Sequence, residues 1–293
     1  MSTEVTTSFV QQYSSNVQML VQQKGSKLRG LVRTETVNGK AAFFDQIGVT
    51  YARQRTSRHA DTPRMDTPHA RRRVTVADYD WADLIDREDK VRMLIDPTSE
   101  YAQAAAWAMG RSMDEVIIDA AFGTAYTGET GASTTSITTA QTVAVASTGL
   151  TLAKLLAAKE ILDGNNVNDE GRYIALTAGQ VTDLLNTTEI KDSDYNTVKA
   201  LAQGTLNTFL GFTFIPVNGL RSDATKILPL NGSSHRRVLC WQKDCLLLGM
   251  GAEPMAKISE RDDKNYATQV FYSMTLGATR MQEPGVVEIV CDE

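Results

Sequence analysis

The run from Asp96 to Phe122 predicts one long helix, and the other parts of the chain are arranged around it. Asp96 suits the N-cap, and Pro97 suits the first helical position because proline has no N–H to leave unpaired there. The body is rich in alanine and other strong helix formers, and Gly123 is typical of the residue that follows a helix. At the usual rise per residue, this helix would be about 39 Å long.

The predicted helix has two unequal faces. The broad apolar stripe that we expect to pack on the protein's own sheet consists of Tyr101, Ala105, Met109, Met113, Val116, Ile117 and Ala120. Trp107 and Ile118 fall on the opposite side, among polar residues, so they would contact a second layer or a neighbouring subunit. A plain core helix of an α+β domain is the alternative.

Composition narrows the class of protein. The chain has 293 residues and a net charge of −5, which does not favour a polyanion binder. The three cysteines lack Cys-x-x-Cys spacing, so we expect free thiols rather than disulfides or a zinc site. The first residues lack a secretion signal, and no apolar run reaches the roughly 18 residues of a membrane span.

Residues 47–79 are the least ordinary segment. Val49, Tyr51, Arg53 and Arg55 alternate as in a strand, and a second strand is predicted after Arg73. Two copies of Asp-Thr-Pro between them indicate turns. Positions 53 to 73 hold seven arginines and two histidines against two aspartates. A lone two-stranded ribbon is marginally stable in water, so we expect this arm to become ordered on a neighbour.

The arginines of this arm have two competing interpretations. They could bind phosphates along a nucleic acid, although the segment contains no recognised module and no aromatic stacking platform. They could instead pair with carboxylates of a neighbouring subunit, which the planar guanidinium suits and which we favour. A solvated hairpin remains a third possibility. The predicted inter-subunit residues are Arg53, Arg55, Arg58, Arg64, Arg71, Arg72, Arg73 and Trp107.

The remaining segments predict a polar arm, an α/β subdomain and a C-terminal hairpin. Residues 1–24 form a polar N-terminal arm with an amphipathic turn set, and residues 80–95 show helical spacing. Strands alternate with helices over residues 150–250, which predicts a compact α/β subdomain that includes a strand at Lys226–Leu230. Residues 269–279 alternate cleanly, and Val286–Val290 would return beside them as a hairpin against the long helix. The α/β subdomain would then be an insertion.

The sequence contains few motifs that would support a chemical reaction. The sequence has no P-loop, no Gly-x-Ser-x-Gly elbow and no His-Glu-x-x-His. Asp192, Asp194 and Asn196 have the initial spacing of a calcium loop, but the glycine and the closing glutamate are missing. We therefore predict no catalytic residues, no metal site and no cofactor.

The order of these parts resembles that of the major capsid proteins of tailed bacteriophages with the Hong Kong 97-type fold. The resemblance implies an α+β fold with a long spine helix at Pro97–Phe122, an extended two-stranded loop, a peripheral domain and an inserted α/β axial domain. It places an N-terminal arm at 1–46, the extended loop at 47–79, the peripheral domain at 80–130 and 261–293, and the axial domain at 131–260. The run from Thr279 to Ile289 is similar to the ending of many such proteins.

This resemblance implies a structural protein rather than an enzyme. Copies would assemble into pentamers and hexamers of an icosahedral head that encloses double-stranded DNA without sequence-specific binding. A separate scaffolding protein and a portal would be its partners. It would be made in the host bacterial cytoplasm, reside in the virion and bind no membrane. The alternatives are an encapsulin-type compartment shell and a non-viral nucleic-acid-binding protein that uses the basic arm.

Overall fold

The computed structural model describes residues 22–59, 61–62, 64–86, 98–186, 208–221 and 223–293. Its helices are α1 (Thr98–Phe122), α2 (Leu152–Gly164) and α3 (Ala178–Asn186). The strands, in chain order, are β1 (Arg33–Thr36), β2 (Ala41–Ile47), β3 (His69–Thr75), β4 (Ala77–Ile85), β5 (Ala125–Thr127), β6 (Ser133–Thr135), β7 (Thr142–Val143), β8 (Arg172–Leu176), β9 (Thr208–Phe209), β10 (Phe212–Pro216), β11 (Arg236–Gln242), β12 (Leu246–Arg261), β13 (Ala267–Arg280) and β14 (Val286–Cys291).

Helix α1 packs on a four-stranded sheet of order β1-β12-β13-β4. Its predicted apolar stripe is confirmed, because Ala105, Met109, Met113 and Ile117 are all buried. Ile118 is also fully buried, within the same apolar core. Burying each large aliphatic side chain contributes about 1.5–3 kcal/mol, so this helix is held mainly by its packing.

Strand β4 replaces the helical spacing predicted at its position. Residues 77–85 pair antiparallel with β13, so the prediction of a helix over residues 80–95 is wrong up to Ile85. The local pattern has a period of two: Tyr79 and Trp81 pack toward the core, while Asp80 and Leu84 are exposed. Trp81, Leu84 and Ile85 also fit a helical spacing, so the alternation was not recognised in the sequence.

The second sheet has six strands in the order β7-β14-β11-β8-β10-β9. Helix α2 packs on β14, ends at Gly164 as predicted, and is capped by the Thr151 side chain, which accepts a hydrogen bond from the Lys154 backbone. The expected strand at Lys226–Leu230 is wrong, since only isolated bridges form at its two ends. Pro229 has no N–H to donate to a ladder there.

The C-terminal hairpin prediction is also wrong. Strand β14 pairs antiparallel with β11 and parallel with β7, inside the six-stranded sheet. β13 has no free edge for it, because β12 and β4 flank β13 on both sides. All six residues of β14 are buried, which fits a strand covered on both faces and not a half-exposed hairpin.

A third sheet of order β2-β3-β5-β6 forms the base of the arginine-rich arm. Its strands β2 and β3 pair antiparallel, with Asp45 opposite Arg71. A small core of Val37, Val74, Leu247 and Met281 joins this sheet to the four-stranded one. The predicted N-terminal helix face and the partial calcium loop lie outside the described residues.

Candidate assembly interface

The arginine-rich arm is a ribbon formed by β2, β3 and the loop of residues 48–68 between them. The backbone N–H of Gly48 donates to the carbonyl of Pro68 at 2.8 Å and closes the ribbon where the loop begins. The strand predicted at Val49–Arg55 is wrong, because the paired segment begins at Ala41 and ends at Ile47. Every described residue of the loop is exposed, including Val49 and Tyr51, which are 74% and 75% exposed.

The predicted contact arginines of the loop make only local contacts among the described residues. Arg55 Nε donates to the Ser57 carbonyl at 2.8 Å, and Arg64 lies 3.5 Å from Asp66 with both side chains over nine-tenths exposed. Arg53 and Arg58 are exposed as well. These side chains are therefore open to contact with another molecule, and their predicted role in inter-subunit contact remains a prediction.

The three consecutive arginines of β3 have different surroundings. Arg71 pairs with Asp45 at 2.6 Å, and this hydrogen bond lowers the pKa of the Asp45 carboxyl. The Arg73 guanidinium stacks 4.7 Å from the ring centre of Tyr126. Arg72 is buried: its Nε donates to the Met281 carbonyl at 3.1 Å, and a second guanidinium nitrogen lies 3.2 Å from Glu283.

The position of Arg72 follows from the strand period. Successive side chains of a strand point to opposite faces, so Arg72 faces the protein while its two neighbours face outward. Burial lowers the pKa of Arg72, and Glu283 acts in the opposite direction. Arg72 thus fixes the base of the ribbon within its own subunit, whereas Arg71 and Arg73 are half-buried and keep part of their side chains accessible.

Trp107 lies on the side of α1 opposite the apolar stripe and is partly exposed. The Lys24 ammonium lies 5.5 Å from the centre of its ring. A cation over an indole face is a favourable contact, so part of this ring is covered by the protein's own N-terminal segment. Its uncovered part remains a predicted contact.

A second accessible surface was missed by sequence reasoning. It is the face of β4, β13 and β12 turned away from α1, and it is called the open face below. The pairing register places Asp80, Ser273 and Met255 side by side across this face, and Ala82 beside Phe271. Leu84 and Met255 are 43% and 60% exposed. The period-two pattern of residues 78–84 was the signal that could have revealed it.

Carboxylates line the edge of the open face. Asp78 and Asp80 are exposed on β4, and Asp78 accepts a hydrogen bond of 2.6 Å from Thr275 Oγ1. Residues 77–86 contain four aspartates and no lysine or arginine. β4 pairs only with β13 in the described structure, so its other edge is unpaired there. The face therefore combines exposed apolar side chains with an acidic border.

Comparison with known proteins decides the family. A family described as phage capsid protein matches residues 5–293. The chain belongs to the phage capsid protein family. The α+β fold expected for such a protein is confirmed.

Solved capsids share this fold over nearly the whole chain. The capsid protein of cyanophage P-SCSP1u is 18% identical, with a TM-score of 0.74 over 100% of this chain and 96% of that one. The head structure of Helicobacter pylori bacteriophage KHP40 gives a TM-score of 0.75 at 11% identity, covering 97% and 96%. The capsid of Ralstonia phage GP4 gives 0.72 at 11% identity, covering 97% and 95%. No curated protein matches the sequence.

A cleft of about 670 Å³ lies at the C-terminal end of α1 in this capsid protein. Its basic side chains are already paired within the chain. Arg221 donates to Asp119 at 3.0 Å, and Arg237 donates to Glu288 at 2.5 Å while stacking 4.1 Å from the Phe122 ring. These ion pairs neutralise the cleft, so it offers little attraction to a charged ligand.

The described residues of the capsid protein give no support for metal chemistry. Among them, no group of three or more His, Cys, Asp or Glu side chains is placed to hold an ion. None of the described helices combines the length and apolar composition that a membrane span requires.

Proposed function

We propose that this capsid protein self-assembles through its ribbon into pentamers and hexamers, which close an icosahedral head around the double-stranded DNA of a phage. The exposed loop of residues 48–68 carries the proposal. It keeps Val49 and Tyr51 about three-quarters exposed, beside an Ile47 that is 72% exposed. Large apolar side chains grouped in water mark a contact surface, and here Arg53 and Arg55 follow them in the chain.

We infer that the loop of one subunit lies on the open face of its neighbour. The loop carries four arginines against two aspartates, whereas the β4 border of the open face carries the exposed Asp78 and Asp80. Guanidinium groups pair with carboxylates through two parallel hydrogen bonds, which fixes orientation. Such charge pairs contribute register and partner choice more than affinity, and Val49, Tyr51, Leu84 and Met255 supply apolar area.

The chain's own loop is poorly placed for this contact. The loop joins β3 at His69, while β4 begins only after the opposite end of β3, beyond Thr75. A seven-residue strand spans about 23 Å, so the loop and β4 start from opposite ends of β3. Contact between two copies would bring the loop of one onto the open face of the other without a change in the fold of either subunit.

The domains of the proposed shell subunit follow the expected order. Residues 1–46 would be the N-terminal arm, 47–79 the extended loop, 80–130 and 261–293 the peripheral domain, and 131–260 the axial domain. In this proposed division, the C-terminal strand β14 would join the peripheral domain to the six-stranded sheet, because it pairs with β11.

The proposed role is structural and contains no catalytic step. A net charge of −5 would let the shell enclose DNA without sequence-specific binding. A separate scaffolding protein and a portal would act in assembly, in the cytoplasm of the host bacterium, and the product would be the virion. A gel shift at low and high salt would test nucleic-acid binding by the purified subunit, and a strong, salt-dependent shift would contradict this view.

A charge exchange tests the contact between loop and open face. In the full-length protein, Arg53→Glu with Arg55→Glu should abolish particles in electron micrographs and in sedimentation, and so should Asp78→Lys with Asp80→Lys. Combining all four changes should restore particles, because the opposite charges meet again with their signs exchanged. Each variant should keep the unfolding midpoint of the parent, since these residues are exposed.

A matched control separates the site from net charge. Lys159→Glu with Lys243→Glu changes the net charge by the same amount as the loop variant, but away from the loop and the open face. Particles of this control should form normally. Normal particles from the loop variant would refute the role of the ribbon. If both double variants form no particles and the variant with all four changes also forms none, the loop binds a different surface.

A further inference from the structure

The N-terminal segment Gln22–Val32 crosses α1 in a slot made by two glycines, and it is called the strap below. On one wall, a Cβ at Gly110 would lie 2.5 Å from the backbone nitrogen of Ser26. On the other wall, a Cβ at Gly219 would lie 2.8 Å from Gln23 Oε1. A larger residue at Gly110 would collide with the strap backbone, whereas one at Gly219 would meet the side-chain ends of Ile227 and Gln23, so the close approach depends mainly on Gly110.

A buried carboxylate of α1 holds the strap. Asp114 has no solvent exposure, and it accepts hydrogen bonds from Ser26 Oγ and Gln23 Nε2, both at 2.6 Å. It also accepts from the backbone nitrogens of Lys27 and Leu28, each at 3.0 Å. A buried carboxylate is costly unless it is hydrogen-bonded, and here all of these donors come from the strap.

The strap also makes hydrogen bonds with the six-stranded sheet. Lys27 Nζ donates to the carbonyl of Pro216, at the end of β10, at 2.6 Å. The indole nitrogen of Trp241, in β11, donates to the Leu31 carbonyl at 3.1 Å. Leu28 is fully buried in the core that α1 and this sheet share. One short segment therefore makes directional contacts with both units.

We propose that the strap is a tie that sets the angle between α1 and the six-stranded sheet, with Asp114 as its positioning residue. An apolar core between a helix and a sheet tolerates small rotations, because its contacts are not directional. Hydrogen bonds to a fixed carboxylate have defined lengths and directions, so they select one arrangement. The tie belongs to the single subunit and does not depend on the proposed mode of assembly.

A distance measurement on unassembled full-length subunits tests the tie. Spin labels on Gln103→Cys, in α1, and Glu160→Cys, in α2, report the angle, since the native cysteines are buried and both labelled positions are exposed. The parent should give one narrow distance distribution. Asp114→Asn places amide hydrogens against converging donors, and Gly110→Ala pushes the strap away without touching the carboxylate, so both should broaden or shift the distribution.

Amide hydrogen exchange gives a second readout. Exchange of the Lys27 and Leu28 amides should accelerate about tenfold or more in both variants, because a hydrogen bond to a charged group is lost. Gly164→Ala is the matched control: it changes a helical glycine with open space beside it, and it should alter neither readout.

Each outcome bears on the tie. Unchanged distances in Asp114→Asn and Gly110→Ala would overturn it, even if the strap amides exchanged faster, because the strap would then be loosened without any effect on the angle. If Asp114→Asn fails to fold, Gly110→Ala retains the test, since alanine favours the helix itself. Failure of the subunits to form shells would leave these measurements intact.

Discussion

Replacing Arg280 with methionine should destabilise the subunit, because this side chain caps the end of α1. Arg280 is fully buried and donates to the carbonyls of Ala121 at 2.7 Å and Thr135 at 2.8 Å, and also to that of Gly123. The last carbonyls of a helix have no partner within it, and a positive charge is favourable beside them. Arg280 Nε also donates to Glu283 at 2.8 Å.

The expected loss can be bounded from these contacts. Removing one partner of a buried ion pair costs about 3–5 kcal/mol, largely because the other charge is left without a partner. Glu283 would keep a second contact, since Arg72 lies 3.2 Å from it. We therefore expect the lower end, about 3 kcal/mol, which corresponds to a fall of roughly 6–12 °C in Tm.

Urea and thermal unfolding of unassembled full-length subunits would measure this loss. Amides in the last turn of α1 should also exchange faster in Arg280→Met. The control is Arg261→Met, which breaks an exposed pair with Asp263 at 2.7 Å and should leave the unfolding midpoint unchanged. A loss below about 1 kcal/mol for Arg280→Met, typical of a surface pair, would refute the capping argument.

Experiments on one glycine, one carboxylate and two thiols would test other parts of the fold. Gly277→Ala would place a methyl 2.9 Å from the Thr75 carbonyl carbon, so urea unfolding should show a loss of about 1–3 kcal/mol. Burial raises the pKa of Glu293, but hydrogen bonds from two basic side chains prevail and lower it below 4.5. The stability that the ionised Glu293 contributes is fully present above pH 4.5 and is lost as the pH falls through its lower pKa in the folded protein. Glu293→Gln should therefore flatten this part of the curve of stability against pH. Burial raises the pKa of Cys245 to about 12 and of Cys291 to about 11. Mass spectrometry should find neither alkylated at about pH 8 until the protein is denatured.

Local patterns predicted α1 and α2 well. The stripe of α1 and the end of α2 at Gly164 follow from side-chain spacing within one element, which the sequence records directly. In the sequence, the ending around Arg280 shows only a resemblance, and the structure gives it a physical role as a helix cap.

Pairings between distant segments could not be predicted. The alternation at β13 and the apolar run of β14 were both visible, but their short separation suggested a hairpin. What prevents it is that β12 and β4 occupy both edges of β13, and this depends on residues far away in the chain. The same limit hid the strap, because a single aspartate on a helix gives no sign that four strap donors converge on it.

The consecutive arginines of β3 show how a strand changes the meaning of a charged run. As a sequence they form one basic cluster, and on that basis neutralising all three would test assembly. In the sheet, however, Arg72 is buried against Glu283 and the Met281 carbonyl, whereas Arg71 and Arg73 face outward. Loss of Arg72 would weaken the subunit itself, so a triple variant would confound folding with assembly. Changing Arg71 and Arg73 together, with Arg72 kept, separates the two effects, because only the outward side chains can reach another copy.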